Sequence, residues 1–312
     1  MSNTSSNNLL VVGSVAIDWI ITPAAERQES VGGSATYFSM AAGGLAPVQL
    51  VGVVGEDFPR EAVRDLEDRG VDVDGLETIA GGLTFRWKGR YHENMNDRDT
   101  LETQLNCFEH FSPKLPEKYK QTDHLFLANI QPSLQLEVLA QMGRRPMVVG
   151  LDTMNLWIDI ARDDLLNVLK QVDILMINEE EARQLSGEDN LFDAARSVRA
   201  LGPSTLIIKR GEYGAMLFGP NEDDIFSVPA LPIAQVADPT GAGDCFAGGF
   251  MGYIAKQGSG LTTVNLRNAM LWGSVMASFC VEGFSYDQLR GIEESAVAGR
   301  FERLVRMCEI PR

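Results

Sequence analysis

Apolar and polar positions along this chain follow two different rhythms. Leu9–Ile17 (LLVVGSVAI) is a continuous apolar run rich in β-branched residues, the pattern of a strand buried on both faces. After Gly32 and Gly33, the stretch SATYFSMAAGGLA reads as a small-residue helix ending at Gly43 and Gly44. Val48–Val54 (VQLVGVV) is another buried strand, and a charged helix follows from about Pro59 to Arg69, with proline in its first turn and Gly70 just past its end. The same rhythm resumes past residue 124. Strands are predicted at Leu125–Asn129, Met147–Asp152, Ile174–Asn178 and Thr205–Lys209. Helices are predicted at Ser133–Met142, Asp163–Lys170, Glu179–Leu185 and Leu191–Ala200. Ala215–Phe218 and Asp224–Val228 read as a hairpin, and the last third as helices from Gly241, Thr262 and Tyr286 onward. Such alternation predicts an α/β fold, a mostly parallel central sheet with helices on both faces.

The second rhythm has period two. From Leu83 to His92, Leu83, Phe85, Trp87, Gly89 and Tyr91 fall on one side and Thr84, Arg86, Lys88, Arg90 and His92 on the other. A polar turn follows, and Thr100–Phe108 alternates again. This is a hairpin interrupting the βα order, read as a small sheet that serves as a lid or a contact between two copies. No internal repeat or long low-complexity linker divides the chain. The expectation is a single domain over 1–312, with a β lid contributed by about 18–33 and 83–108.

Composition narrows the partners. Lys plus Arg number 27 and Asp plus Glu 43, a formal charge of −16, which repels phosphate backbones and anionic lipid surfaces. Nucleic acid and membrane partners are therefore not expected. Arg86, Lys88 and Arg90 form a local basic stripe able to meet a phosphate. Four scattered cysteines make neither a disulfide framework nor a zinc knuckle and fit a reducing compartment. Three histidines without i, i+4 spacing make a histidine metal site or a Ser–His–Asp triad hard to build. The polar start, MSNTSSNN, reads as a tail rather than a signal peptide, and no run reaches the roughly 18 apolar residues of a membrane span. The expected location is the cytoplasm.

Chemistry concentrates in Ala237–Phe250, ADPTGAGDCFAGGF. Gly241 and Gly243 permit close backbone approach, and Cys245–Tyr253 reads as helix. Free N–H groups at a helix N-terminus cradle an anion, and the macrodipole adds to the attraction. Asp244 lies in that first turn, where the dipole alone lowers a carboxyl pKa.

This stretch resembles the C-terminal signature of the ribokinase-like (PfkB) carbohydrate and nucleoside kinase family. The resemblance extends over nearly the whole chain, through Gly13-Ser14 with Asp18, Gly32-Gly33, VQLVGVVGED, the N-x-x-E of Asn178 and Glu181, and the K-x-G-x-x-G of Lys209, Gly211 and Gly214. It implies a ribokinase-like fold and an ATP-dependent phosphotransferase acting on the hydroxymethyl group of a sugar or related polyol, with a nucleoside as the alternative acceptor. Asp244 then inherits the role of base, and the Gly241, Ala242 and Gly243 backbone that of the anion hole. Asp18, Gly32, Gly33, Tyr37 and Arg86 become candidates for the acceptor site, with Tyr37 standing where the family often has Asn. Asn178, Lys209, Gly211, Gly214 and Thr240 become candidates for the nucleotide site. Glu181 would order Mg2+ through water, which suits a hard cation that keeps most of its waters. Asp238, with Gly283 across from it, is the candidate for a monovalent cation such as K+. Asp152 and Asn155 form a D-x-x-N looser than the family's usual D-x-N-x-R. The ring-bearing residues Tyr37, Phe38, Phe85, Trp87 and Tyr91 would either wall a nucleobase or pack as the apolar face of a lid, through which a homodimer would form.

Two other classes compete. A dinucleotide oxidoreductase needs G-x-G-x-x-G directly after the first strand, where only Gly13 follows Val12, and the classical G-x-x-x-x-G-K-[ST] loop is absent. A non-catalytic binding protein on the same fold would have little reason to keep Asp244, its Gly-Ala-Gly cradle and Glu181 together.

Overall fold

Gly13 splits the first apolar run. The computed structural model, which describes residues 7–309 apart from Glu222, forms β1 at Leu9–Val12 and then leaves the sheet, to resume as β2 (Ala16–Ile21) in a second sheet. The run read as one strand is therefore two strands in two sheets. Hydropathy gives no sign of the break because both halves are buried. At Gly13 a Cβ would lie 2.7 Å from that of Ala128 and 2.8 Å from Ser34 Oγ, so only glycine fits where the chain turns away. Residues 1–6 of the polar start lie outside the described residues.

In chain order there follow β3 (Glu26–Gly32), α1 (Ser34–Ala42), β4 (Val48–Gly55), α2 (Arg60–Asp68), β5 (Val71–Ile79), β6 (Phe85–Tyr91) and β7 (Arg98–Gln104). Next come β8 (His124–Leu127), α3 (Pro132–Gln141), β9 (Val148–Asp152), α4 (Asn155–Ile160), α5 (Arg162–Leu169), β10 (Ile174–Asn178), α6 (Glu179–Ser186) and α7 (Leu191–Arg199). The chain ends with β11 (Thr205–Lys209), β12 (Ala215–Phe218), β13 (Ile225–Val228), α8 (Ala242–Gln257), α9 (Thr263–Cys280) and α10 (Glu294–Cys308).

The main sheet has nine strands in the order β13-β12-β11-β10-β9-β8-β1-β4-β5, with β12 antiparallel to both its neighbours and every other pair parallel. Its strands alternate sides as pleating demands. Leu9 and Val11 join one apolar cluster with α1, α8 and α9, while Leu10 and Val12 join a second with α3, α5 and α7. Three elements escape the hydropathy reading. β5 carries charged residues between its apolar ones, α4 is short, and the helix expected from Tyr286 begins only at Glu294 because Gly291, at φ +63, breaks the path.

The second sheet has the order β3-β2-β6-β7. β2 runs parallel to β6, while β3 and β7 pair antiparallel at its edges. In the β6–β7 ladder, Lys88 faces Glu102 but Gly89 faces Thr100, so Leu101 is a bulge. Among the described residues no helix is long and apolar enough to cross a membrane.

Candidate active site

β1 lies between β8 and β4, so the chain runs outward from it in both directions and the crevice at the carboxyl ends of the parallel strands opens there. Asp152, Asn178 and Lys209 are the last residues of three adjacent strands, β9, β10 and β11. Lys209 Nζ lies 3.2 Å from Asp152 Oδ1, and both side chains are largely buried. Burial works against the Lys209 charge, but the Asp152, Glu181 and Asp244 carboxylates outweigh it and raise its pKa.

Asn178 caps α6. Its Oδ1 accepts the Glu181 N–H at 2.8 Å, while Glu181 Oε2 accepts the Asn178 N–H at 2.8 Å. N-x-x-E is thus a capping box, but one whose acid does not face solvent. Glu181 is 8% exposed, and burial, countered by Lys209 and reinforced by Asp152, pushes its pKa up to about 7.

The glycine-rich turn comes from the other side of the crevice. Gly241 takes a left-handed conformation (φ +77) just before α8, and a Cβ there would fall on the Tyr37 ring. A Cβ at Gly243 would sit 3.1 Å from Lys209 Nζ, which places the turn directly against the lysine. Ala242 N–H turns back to the Pro239 carbonyl at 3.2 Å, so the Gly241 and Gly243 amides are the better placed donors. Asp244 follows. Its pKa is not lowered, as its helix position alone predicts, but pushed up to about 8. Burial is the larger cause and the Asp152 charge the second, and together they exceed the pull of Lys209, Arg98 and a backbone hydrogen bond.

Asp238 Oδ1 accepts the Thr240 N–H at 2.9 Å, and its Oδ2 is buried with no hydrogen-bond partner. Burial pushes this carboxyl up to about 6. Ala237 and Asp238 also donate their N–H groups to the Val281 carbonyl, which brings the Gly283 turn to the same place. A buried carboxylate oxygen lacking a partner fits a bound cation.

Asp18 lies on β2, 4% exposed, its carboxylate resting over Gly32, where any Cβ would collide with it. Gly33 (φ +93) then turns the chain into α1, which carries Tyr37. Burial comes first, and the Asp238 and Asp244 charges add to it, in holding the Asp18 carboxyl well above the usual carboxylate range. The Tyr37 hydroxyl is buried without a partner. These residues therefore share one charged crevice with Asp244.

The second sheet covers that crevice. Ladder partners project to the same side, so Asp18, Trp87, Gly89 and Tyr91 share a face. Thr240 Oγ1 donates to Tyr91 Oη at 3.1 Å, which fixes this face toward the glycine-rich turn. The hairpin tip reaches the other loop too, since a Cβ on Gly211 would come 2.5 Å from Asn96 Oδ1. Gly214 (φ +85) is required by its own strand, because a Cβ would strike the Val228 carbonyl.

Some expected residues lie elsewhere. Arg86 is on the opposite face, held by Asp57 at 2.9 Å and Glu29 at 2.6 Å. Its stripe neighbours follow it outward, Lys88 over the Trp19 ring and Arg90 exposed. Asn155 is exposed and its carbonyl accepts from Gln184, outside the cluster. Sequence reasoning undervalued Asp152, whose strand-end position was the available signal. Alternation through Thr100–Phe108 does not reveal the bulge that turns Arg98 to the face of Tyr91.

Comparison with known proteins agrees with this fold. Residues 6–286 match the family described as pfkB family carbohydrate kinase. A cytidine kinase of Thermococcus kodakarensis is 33% identical over 248 residues, covering 78% of this chain and 87% of that protein. Among solved structures, an Escherichia coli protein assigned as a ribokinase II, in complex with ATP and Mg2+, superposes with a TM-score of 0.76 at 21% identity, covering 95% of this chain and 99% of the other. Methanocaldococcus jannaschii nucleoside kinase superposes with a TM-score of 0.75 at 20% identity, covering 95% and 98%.

Proposed function

The chain belongs to the pfkB family of carbohydrate kinases, a kinase that phosphorylates an alcohol group of a sugar or nucleoside, and from that premise we propose that its acceptor is a nucleoside, phosphorylated at the hydroxymethyl group by ATP. The observation that carries this reading is the ring-bearing face of the second sheet. Half-buried Trp87 stands on the same side as Asp18, backed by buried Tyr91, so a nucleobase can stack on the Trp87 ring while Asp18 accepts hydrogen bonds from the ribose hydroxyls. A free pentose would leave that ring uncovered. We read the sheet as a lid over the acceptor. The cytidine kinase activity named for the Thermococcus relative supports the same assignment.

Transfer needs positioning and charge more than covalent participation by the protein. Asp244 takes the proton of the acceptor hydroxyl as the oxygen bonds to phosphorus, and a base with a pKa of about 8 is well matched to that task. The Gly241 and Gly243 amides hold the oxygens of the migrating phosphoryl group, and Lys209 adds positive charge beside them. Asn178, Lys209, Gly211, Gly214 and Thr240 line the nucleotide side. Mg2+ fits at Glu181, whose single buried carboxylate suits an ion bound mainly through water; when present it neutralises phosphate charge. The unpartnered Asp238 Oδ2 fits K+ in the same sense. We expect the protein to act in the cytoplasm.

An ADP-release assay across nucleosides, free pentoses, hexoses and sugar acids tests the assignment. Nucleosides should exceed free sugars in kcat/KM by at least about tenfold, the share that one stacked ring contributes to binding. A sugar turned over as well as any nucleoside would remove the nucleoside reading and leave the kinase. Chelation of Mg2+ should abolish transfer, and potassium should stimulate it.

A further inference from the structure

The basic stripe that the sequence offers for phosphate binding faces away from the crevice, yet another arginine on the same hairpin faces into it. Building on the site reading above, we propose that Arg98 is a catalytic residue, carried by the lid onto the migrating phosphoryl group opposite the Gly241–Gly243 turn.

Strand register decides which way this arginine faces. Gln104, Thr103 and Glu102 pair with Arg86, Trp87 and Lys88, so the even-numbered side of β7 begins on the outward face with Arg86 and Lys88. Were the ladder regular, Arg98 would continue on that outward face. The bulge at Leu101 reverses the phase, and Arg98 pairs with Tyr91 instead. Tyr91 is anchored to Thr240 in the glycine-rich turn, and Asn96 at the hairpin tip abuts Gly211. Arg98, exposed and without an ion-pair partner among the described residues, therefore stands on a strand whose neighbours Tyr91 and Asn96 reach the two loops assigned to the nucleotide. Its positive charge acts on Asp244 and on Glu181, lowering the pKa of both, so the guanidinium lies within electrostatic reach of the base and of the acid assigned to Mg2+.

During transfer the bond from phosphorus to the ADP oxygen breaks, a bond to the acceptor oxygen forms, and the acceptor proton goes to Asp244. Arg98 makes or breaks no covalent bond. Its planar fork donates to the phosphoryl oxygens while they carry the most charge. Because it sits on the lid, that charge arrives only when the acceptor site is covered, which disfavours transfer to water.

Arg98→Gln, Arg98→Lys and, as a control of equal charge change on the outward face, Arg90→Gln separate the outcomes. R98Q should melt like the wild type and lose at least about 100-fold in kcat, with KM for ATP changed by less than about threefold. Affinity for ADP with aluminium fluoride and acceptor, a mimic of the migrating group, should fall by a similar factor. R98K should recover part of the loss, and R90Q should match the wild type. If R98Q keeps kcat and mimic affinity within about threefold while Asp244→Asn is inactive, Arg98 has no such role and the site reading stands. If Asp244→Asn itself turns over normally, the site reading has failed.

Discussion

Asp244 shows how far a residue's surroundings can override its local position. A first-turn carboxylate should be a weak base, yet burial and Asp152 raise it to about 8. Two results should follow. Asp244→Asn should lower kcat by about 100-fold or more while leaving ATP affinity nearly intact, measured by steady-state kinetics and nucleotide titration. Wild-type kcat/KM for the acceptor should rise with pH and level off above the Asp244 pKa of about 8, since only the ionised form accepts a proton, with a steeper rise below about 7, where Glu181 also gains its charge. Stability runs the other way. The folded protein keeps a proton that the unfolded chain releases above ~3.9, so this group's contribution is complete below that pH and is lost as pH rises to about 8. The Tm of D244N should thus equal that of the wild type near pH 4 and exceed it increasingly up to pH 8. A constant gap across the range would mean that Asp244 is not strained by burial. The identity of the acid was legible in D-P-T-G-A-G-D, because that string couples a backbone cradle to a carboxylate. Its basicity was not, because Asp152 is distant in sequence.

Elements were legible where one sheet buried them and illegible where the chain changed sheets. The parallel strands β10 and β11 are short apolar runs that end in a polar residue, and hydropathy alone marks them. Nothing in LLVVGSVAI says that Gly13 hands the chain to another sheet, nor that Leu101 reverses β7; both depend on contacts with distant segments. Two helical glycines, one in α10 and one in α8, allow a direct test of such contacts. At Gly299 in α10 an added methyl would meet no atom within 4 Å, so Gly299→Ala should gain the usual helix preference, roughly 0.5–1 kcal/mol, or about 2 °C in Tm. At Gly248 in α8 the same methyl would fall on the Phe38 carbonyl oxygen of α1 and lie 2.9 Å from the Ala41 Cβ. Gly248→Ala should therefore lower Tm despite that preference. It should also lower kcat, because α1 carries Tyr37 beneath the Gly241 turn that α8 extends. Equal Tm gains at both positions would refute the close α1–α8 packing as the reason for glycine there.

At the scale of the whole molecule, function depends on how the small sheet is hung from the large one. Asp57, just past β4, accepts from Thr84 N–H and Oγ1, each at 2.7 Å, and from Arg86 at 2.9 Å. One carboxylate thus fixes the chain where it enters β6, and Arg86, expected at the acceptor, bonds to it instead, which makes Asp57 the hinge of the proposed lid. Burial pushes the Asp57 carboxyl up, but its hydrogen bonds from Thr84 and Arg86 outweigh that and hold it below the usual value. Its contribution to stability is therefore present above ~3.9 and lost only as pH falls further. The hinge stays charged throughout the range in which Glu181 and Asp244 titrate, so the rise in kcat/KM toward pH 8 reports those two acids and not the lid. Asp57→Asn keeps the shape and removes the charge that Arg86 and Thr84 share, an interaction worth about 1.5–3 kcal/mol. Lid closure should become less favourable, raising KM for the acceptor by about tenfold or more while KM for ATP changes little. Amide hydrogen exchange should accelerate across 85–104 and not in β8–β11. If acceptor KM and exchange both stay at wild-type values, the lid is held by its Tyr91 and Asn96 contacts with the main body, and Asp57 is not its hinge.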